Sequence, residues 1–467
     1  MRIATDELRL ELEAALTDGG RVSAGDSDRD LHSADISFHR PQRPDLVVYP
    51  TSTGEVSRVL ALANERRVAV TPFGAGSSLE GHVIPTHAGI SLDLTRLDRI
   101  VELAPADLTA TVQAGVNRGA LARAAGEHGL FFPVDPGADA TLGGMAATNA
   151  AGTTTIRYGK MRANVLALEA VLADGSVIRT GSRAPKTSAG YDLTSLLVGS
   201  EGTLAVITEL QVRLHGLPEH VVAQRISFPT LEAACRTAAA VVAAGSAVTR
   251  LELLDAPSLA AINAHFGTAY DEGPCLLVEA AGSEASVEAD LAFVRESAQA
   301  EGATAIVDER EPDARARLWA VRHEATYAAA AAAPGRRERT TDTCVPVSEL
   351  AAAVAFTRAE LERLGLDGAI LGHAGDGNVH VSLWVEPDDA AEAALADELV
   401  DSLVADALAR GGTCTGEHGI GLGKLRALEL EHGDLVPLMR RIKTVFDPHG
   451  ILNPGKVFTP LPTPEEP

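Results

Sequence analysis

The run Gly372-His-Ala-Gly-Asp-Gly-Asn-Val-His380 turns the chain back on itself. Asp-Gly at 376–377 suits a two-residue hairpin turn, whose twist asks for positive φ at both positions. A hairpin centred there sets His373 directly opposite His380 on one face of a sheet. Opposed Cβ atoms lie about 4.5–5.5 Å apart, close enough for two imidazoles to grip one divalent ion. Downstream, Gly416-Glu-His-Gly-Ile-Gly421 offers a carboxylate (Glu417) and a further imidazole (His418). Glycines on either side let such a loop approach a ligand closely. Two His and one carboxylate leave coordination positions open for a substrate oxygen. Either segment alone reads as a solvated polar turn. Together they read as a metal-assisted site.

At 467 residues the chain has room for two or three domains. Its 64 acidic against 40 basic residues give a charge of −24, the reverse of the basic stripe that nucleic acid requires. Four scattered cysteines without a CxxC pair argue against an iron–sulfur cluster within this chain. They favour a reduced, cytoplasmic compartment over a disulfide framework. The stretch MRIATDELRLELEAALTDGG reads as an acidic amphipathic helix ended by Gly-Gly, with neither a signal core nor the character of a transit peptide. No uncharged apolar run approaches about 18 residues, so no membrane span is expected. Peripheral membrane association is compatible with this composition.

Along the chain, Ser52 and Glu55 are spaced as a capping box, and Val56, Val59, Leu60 and Ala63 share a helix face. Strands are expected at Val68–Thr71, Ile90–Leu94, Thr109–Gln113 and Gly202–Leu214, a hairpin about Asp174-Gly175, and a helix over 117–127. Composition changes near His215-Gly-Leu-Pro218. Beyond it strands and helices alternate (Val222–Phe228, an Ala-rich helix, Arg250–Leu254, Cys275–Glu279), and Ala328–Ala333 reads as a packed helix.

Gly74-Ala-Gly-Ser-Ser-Leu-Glu-Gly81 follows a strand, and its small residues allow several N–H groups to converge on an anion. It is neither a dinucleotide fingerprint, since Leu79 replaces the third Gly, nor a Walker loop, since His82 replaces the Lys. Two more stretches of this kind follow: Phe132–Gly152, which carries Thr141, Thr148 and Asn149, and Gly199–Thr208. Such surfaces suit an extended polar cofactor.

In this order the three segments resemble the flavin-binding domain of the vanillyl-alcohol oxidase (PCMH-type) superfamily. With GHAGDGNVH, GEHGIG and Ile451-Leu-Asn-Pro-Gly-Lys456, the chain resembles its FAD-linked 2-hydroxy-acid dehydrogenases, from about residue 40 to 458. That branch holds enzymes of D-lactate, glycolate and D-2-hydroxyglutarate. FFPVDPGADATLGGMAATNAAGT, TDTCVP and GGTCTGEHGIGLGK are most similar to the D-lactate enzymes.

The resemblance implies an α+β chain: a two-part PCMH-type FAD domain at 41–217 and an α/β substrate (cap) domain with an antiparallel sheet at 218–435. A helical segment at 1–40 would precede them. A segment at 436–460 would return to the flavin, and a disordered tail at 461–467 would end the chain. FAD would lie on Gly74, Ala75, Gly76, Ser77 and Ser78, with Pro136, Gly137, Thr141, Gly143, Gly144, Asn149, Gly202, Ile207 and Asn453. Ser77 stands where covalent relatives carry His, so the FAD is expected to be non-covalent.

By the same resemblance a divalent metal, zinc first and manganese or iron as alternatives, sits on His373, His380 and Glu417. Oxidation of a 2-hydroxy acid removes the hydroxyl proton and passes a hydride from Cα to flavin N5. His418 is then the expected base, since an imidazole titrates near pH 6.5, and Arg322 the carboxylate anchor. Adjacent side chains such as Glu417 and His418 are expected to diverge. Thr340 stands where hydroxyglutarate enzymes carry Lys, which points to a small acid such as D-lactate, although Thr326 matches the hydroxyglutarate branch. Arg336, Arg337 and Arg339 read as a solvated basic loop, and His82 as structural. No haem or cluster motif is present, so electrons would pass to an external acceptor: a cytochrome, a quinone or a partner redox protein. A homodimer is left open. The alternatives are a D-2-hydroxyglutarate or glycolate enzyme, a flavin-binding subunit of a glycolate oxidase, and a flavin enzyme acting on sugars, aryl alcohols or lipid precursors.

Overall fold

The computed structural model describes residues 4–458; the tail expected at 461–467 lies outside them. The chain divides into two compact units. The first comprises the residues up to Ala150, Lys160–Gly216 and the chain from Glu417 on; the second comprises Ala151–Gly159 and Leu217–Gly416.

The first unit opens with a four-stranded sheet in the order Val22–Ser23, Leu46–Val48, Ile90–Asp93, Val70–Phe73, whose last three strands are parallel. Parallel strands need a crossover, and helix Thr53–Arg66 supplies the one from Leu46–Val48 to Val70–Phe73, the two strands that flank Ile90–Asp93, burying Val56, Val59, Leu60 and Ala63. Ser52 caps this helix by accepting from Glu55 N at 3.3 Å. The reciprocal half of the box is absent, because Glu55 is buried and turns to Arg21 Nη2 at 2.6 Å. Helix Thr5–Ala15 buries Leu8 and Leu12 in the same core. The described part of the expected N-terminal segment, residues 4–40, therefore does not stand apart but belongs to the first unit. That helix ends ahead of Gly19-Gly20, which open a 3-10 turn.

A five-stranded antiparallel sheet completes the unit: Ile100–Ala104, Thr109–Gln113, Val206–Arg213, Val165–Val171, Val177–Gly181. The strand expected from Gly202 starts only at Val206, since Glu201 (φ 55°) and Gly202 (φ 69°) are left-handed. The chain re-enters this unit at Glu417, ahead of the expected 436. It extends the parallel sheet: Val70 N donates to Ile451 O and Asn453 N to Val70 O, both at 2.8 Å.

The second unit is built on an antiparallel sheet ordered Ala305–Glu309, His220–Ser227, Cys275–Gly282, Val248–Leu254, Gly368–His373, Asn378–Val385, Arg337–Thr340. Alternate residues of a strand point to opposite faces. Ile226, Leu251, Leu253, Leu276, Ile370 and Val381 enter the main core with helices Leu231–Ala243, Leu350–Leu364 and Ala390–Ala409. The other face carries Glu252, His373, His380 and Ser382. Beside these, Leu254, Leu277 and Leu371 pack under helices Ala256–Phe266, Pro312–His323 and Ala325–Ala332.

Candidate active site

The hairpin differs in register from the two-residue turn. Leu371, rather than His373, stands opposite His380, and Ala374–Gly377 form a four-residue loop. Only Gly377 takes positive φ, at 76°; Asp376 does not. A two-residue shift preserves the face where a one-residue shift would invert it. The imidazoles therefore meet diagonally, with ring centroids 5.6 Å apart and planes at 89°.

Both rings are held from behind. His380 Nδ1–H donates to the Thr341 carbonyl at 3.0 Å, and an acceptor-only carbonyl fixes the proton on Nδ1. His373, directly opposite Glu252 in the ladder, donates its Nδ1–H to Glu252 Oε1 at 2.8 Å. Each ring is left with an Nε2 lone pair, the form in which imidazole ligates metal, with the backing hydrogen bond that raises its basicity. This donor set fits a divalent ion. Asp342 lies 3.8 Å from His380 Nδ1 and is itself held by Asn378 Nδ2 at 2.8 Å and Thr415 Oγ1 at 2.6 Å.

Arg322, on helix Pro312–His323, is 7% exposed and pairs through Nη2 with Glu252 Oε2 at 2.6 Å. Glu252 thus bridges His373 and Arg322. The sequence reading missed it, although a carboxylate inside the apolar strand Val248–Leu254 is a legible signal. Beyond Ser382, burial pushes the Glu338 carboxyl up to about 7, against the Ser382 hydroxyl bond at 3.0 Å and the nearby His380. Thr340 pairs with Ser382 in the sheet. Arg336 is engaged by Glu392 at 2.9 Å, and Arg339 by Asp397.

In the first unit, Gly74–Ser78 follows strand Val70–Phe73 directly. A Cβ at Gly74 would lie 2.5 Å from Thr141 Oγ1, so bare backbone from this loop meets the Thr141 cap of helix Leu142–Thr148, which carries Gly143 and Gly144. Ser77 and Ser78 are half-buried and Ala75 is exposed, as is Gly137 beside half-buried Pro136. Ser78 donates to Asp35 at 2.8 Å. A surface of exposed backbone and hydroxyls fits the polar span of FAD. Asn149 (φ 52°) accepts from Arg162 N at 2.9 Å, so its carbonyl is already engaged. Ile207 is buried on strand Val206–Arg213, beside left-handed Gly202.

The GEHGIG loop threads between two buried carboxylates that the sequence reading passed over, both inside glycine loops. Glu201 accepts from Ile420 N at 2.7 Å and Gly421 N at 2.8 Å, and forms an ion pair with His82 Nε2 at 3.2 Å. Burial disfavours charge on both partners, yet their attraction wins, so His82 is raised and Glu201 lowered. The Glu80 carbonyl accepts from Leu422 N at 2.6 Å, and its carboxylate lies 3.9 Å from His418 Nδ1. Glu417 and His418 do not diverge: Oε1 and Nε2 are 3.9 Å apart. Asn453 Nδ2 donates to His82 O and Glu201 O at 3.0 and 2.8 Å, tying the returning segment to this cluster.

Solved structures share this fold. p-Cresol methylhydroxylase aligns at TM-score 0.81 and 17% identity, and 4-ethylphenol oxidase from Gulosibacter chungangensis at 0.80 and 18%, each over 97% of both chains. The unit division, antiparallel sheets and flavin loops thus define the PCMH-type FAD-binding class. Two family descriptions match: "FAD linked oxidases, C-terminal domain" over residues 217–457 and "FAD binding domain" over 44–181. The chain belongs to the FAD-linked oxidases, and to their 2-hydroxy-acid dehydrogenase branch. It is 42% identical over 441 residues to a probable mitochondrial D-lactate dehydrogenase of Danio rerio, covering 94% of this chain and 89% of that one. Mitochondrial D-lactate dehydrogenase (cytochrome) of Arabidopsis thaliana is 41% identical over 426 residues, 91% and 75% covered. Glycolate oxidase subunit GlcD of Bacillus subtilis is 35% identical over 436 residues, 92% of each.

Proposed function

We infer that the protein is an FAD-dependent dehydrogenase that oxidises a D-2-hydroxy acid, D-lactate foremost, to the 2-oxo acid and passes the electrons to an external acceptor. The observation that carries the metal-assisted form of this reading is the pair of imidazoles His373 and His380, 5.6 Å apart, each with its Nδ1–H engaged from behind.

FAD, when bound on Gly74–Ser78, Pro136–Asn149, Gly202, Ile207 and Asn453, supplies the two-electron acceptor for the hydrogen leaving the substrate's C2. A divalent ion, zinc in our reading, on His373, His380 and Glu417 supplies Lewis-acid polarisation of the hydroxyl oxygen. The chain's own part is orientation and proton handling. Arg322 holds the substrate carboxylate with the guanidinium edge that Glu252 does not occupy. His418 takes the hydroxyl proton at a ring nitrogen, between the carboxylates of Glu80 and Glu417. The external acceptor is a cytochrome, a quinone or a partner redox protein.

Cysteines 235, 275, 344 and 414, none of them joined in a disulfide, support a reducing, cytoplasmic setting, and among the described residues no helix is long and apolar enough to cross a membrane. Glycolate is the second reading, supported by the GlcD relative. Anaerobic bleaching of the bound flavin separates these: D-lactate should bleach it faster than glycolate or D-2-hydroxyglutarate, and chelator should slow the reaction. A flavin that no 2-hydroxy acid bleaches would end the reading.

A further inference from the structure

We propose that Glu252 is a positioning residue that joins the metal centre to the carboxylate anchor, an inference resting on the metal reading above. Its carboxylate is 1% exposed, sits directly opposite His373 in the ladder, and divides its two oxygens between two partners. Oε1 accepts from His373 Nδ1 at 2.8 Å, and Oε2 pairs with Arg322 Nη2 at 2.6 Å. A buried carboxylate between an imidazole and a guanidinium does three things at once. It keeps the His373 proton on Nδ1, so Nε2 faces outward as a lone pair. It raises the donor strength of that nitrogen, as carboxylates behind metal-bound histidines do. It holds Arg322 in place by a buried ion pair at one end of the guanidinium, leaving the rest of the fork for a second carboxylate. His380, by contrast, rests on the uncharged Thr341 carbonyl, so Glu252 gives the two imidazoles unequal donor strength.

A merely structural ion pair would hold the helix and the strand together without affecting ligation. The test therefore reads metal affinity in the FAD-loaded, chelator-stripped protein titrated with Zn²⁺. Glu252→Gln should weaken Zn²⁺ binding about 10–100-fold, the usual effect of losing a group behind a ligand, with FAD content unchanged. Because the substitution leaves Arg322 buried without its partner, Glu252→Gln with Arg322→Met is the companion variant, which removes both charges and should show the same loss. In a His373→Ala background Glu252→Gln should have no further effect, since the residue acts through that ring. Zn²⁺ affinity in either Glu252 variant equal to that of the parent, or an undiminished effect in the His373→Ala background, overturns the role. A parent protein that takes up no Zn²⁺ overturns the underlying metal reading and this role with it, and the parent titration alone reveals that case.

Discussion

His380 gives its Nδ1 proton to the Thr341 carbonyl at 3.0 Å, so its other nitrogen is the basic one. Substituting His380→Ala removes that donor while leaving the flavin loops of the first unit untouched. The variant should lose its metal on gel filtration, an affinity drop of about 100-fold or more, yet elute with a full flavin spectrum. Elemental analysis of the eluted protein decides this. A stoichiometric ion retained by the variant would remove His380 from the ligand set.

The His82–Glu201 pair makes a pH-dependent contribution whose signs differ at the two ends. Glu201 is lowered in the fold, so its contribution is complete above the ordinary 4.5 and is lost as pH falls through the folded value. His82 is raised, so its contribution is complete below the ordinary 6.5 and is lost as pH rises through the folded value. The pair therefore contributes fully between about 4.5 and 6.5. Glu201→Gln should lower the melting temperature most in that window and flatten its pH dependence, and it should loosen the loop at Ile420 and Gly421. Melting curves at pH 4, 5.5 and 8 read the effect; an equal loss at all three would contradict it.

How far the residues announce this arrangement varies with the range of the interaction. Caps are local, and Ser52 and Asn117 mark the starts of their helices, the latter by accepting from Ala120 N at 2.8 Å. The alternation His380-Val-Ser-Leu is local too, and it places the imidazole and Val381 on opposite faces. Asp-Gly identifies a reversal but does not distinguish a two-residue from a four-residue loop, so the register came out two residues away. The face survived because two is the period of a strand. Glu252 reaches His373 only through strand pairing across 121 residues, which no spacing rule reports. The carbonyl of Thr341 carries no sequence signal, since every residue has one. Glu55 matched a capping pattern, but its buried carboxylate gathers Arg21 and the N–H groups of Thr17 and Thr51 rather than that of Ser52, partners that sequence spacing does not report.

Glu338 offers a test of desolvation on the same sheet face. Burial raises its carboxyl to about 7, so ionisation costs stability that is absent below the ordinary 4.5 and grows until pH passes the folded value. Glu338→Gln keeps the shape and removes the charge. In chelator-treated protein the variant should match the parent near pH 4.5 and exceed it by about 1–3 kcal/mol at pH 8, less where water screens the group. Urea midpoints at the two pH values measure the difference. A constant gap would mean that Glu338 ionises freely in the fold.

The strongest stability effect is expected far from the imidazoles, at the ion pair under the first sheet. Glu55 accepts from Arg21 Nη1 and Nη2 at 2.7 and 2.6 Å, and from Thr17 N and Thr51 N at 2.9 and 2.8 Å. The Arg21 hydrogen bonds and those of the threonines hold its carboxyl far below the ordinary range, against the cost of burial. Glu55→Ala leaves Arg21, only 7% exposed, as a buried charge whose remaining acceptors include the Tyr49 carbonyl. Breaking such a pair from one side costs about 3–5 kcal/mol, whereas replacing both members with apolar residues of similar volume is close to neutral. Glu55→Ala should therefore shift the urea midpoint of the first unit strongly, and Arg21→Met with Glu55→Leu should recover most of the loss. Substrate preference should not move in either variant, because neither side chain belongs to the second unit. If the double substitution is as damaging as the single one, the hydrogen bonds to Thr17 and Thr51, rather than the ion pair, carry the stability of this corner.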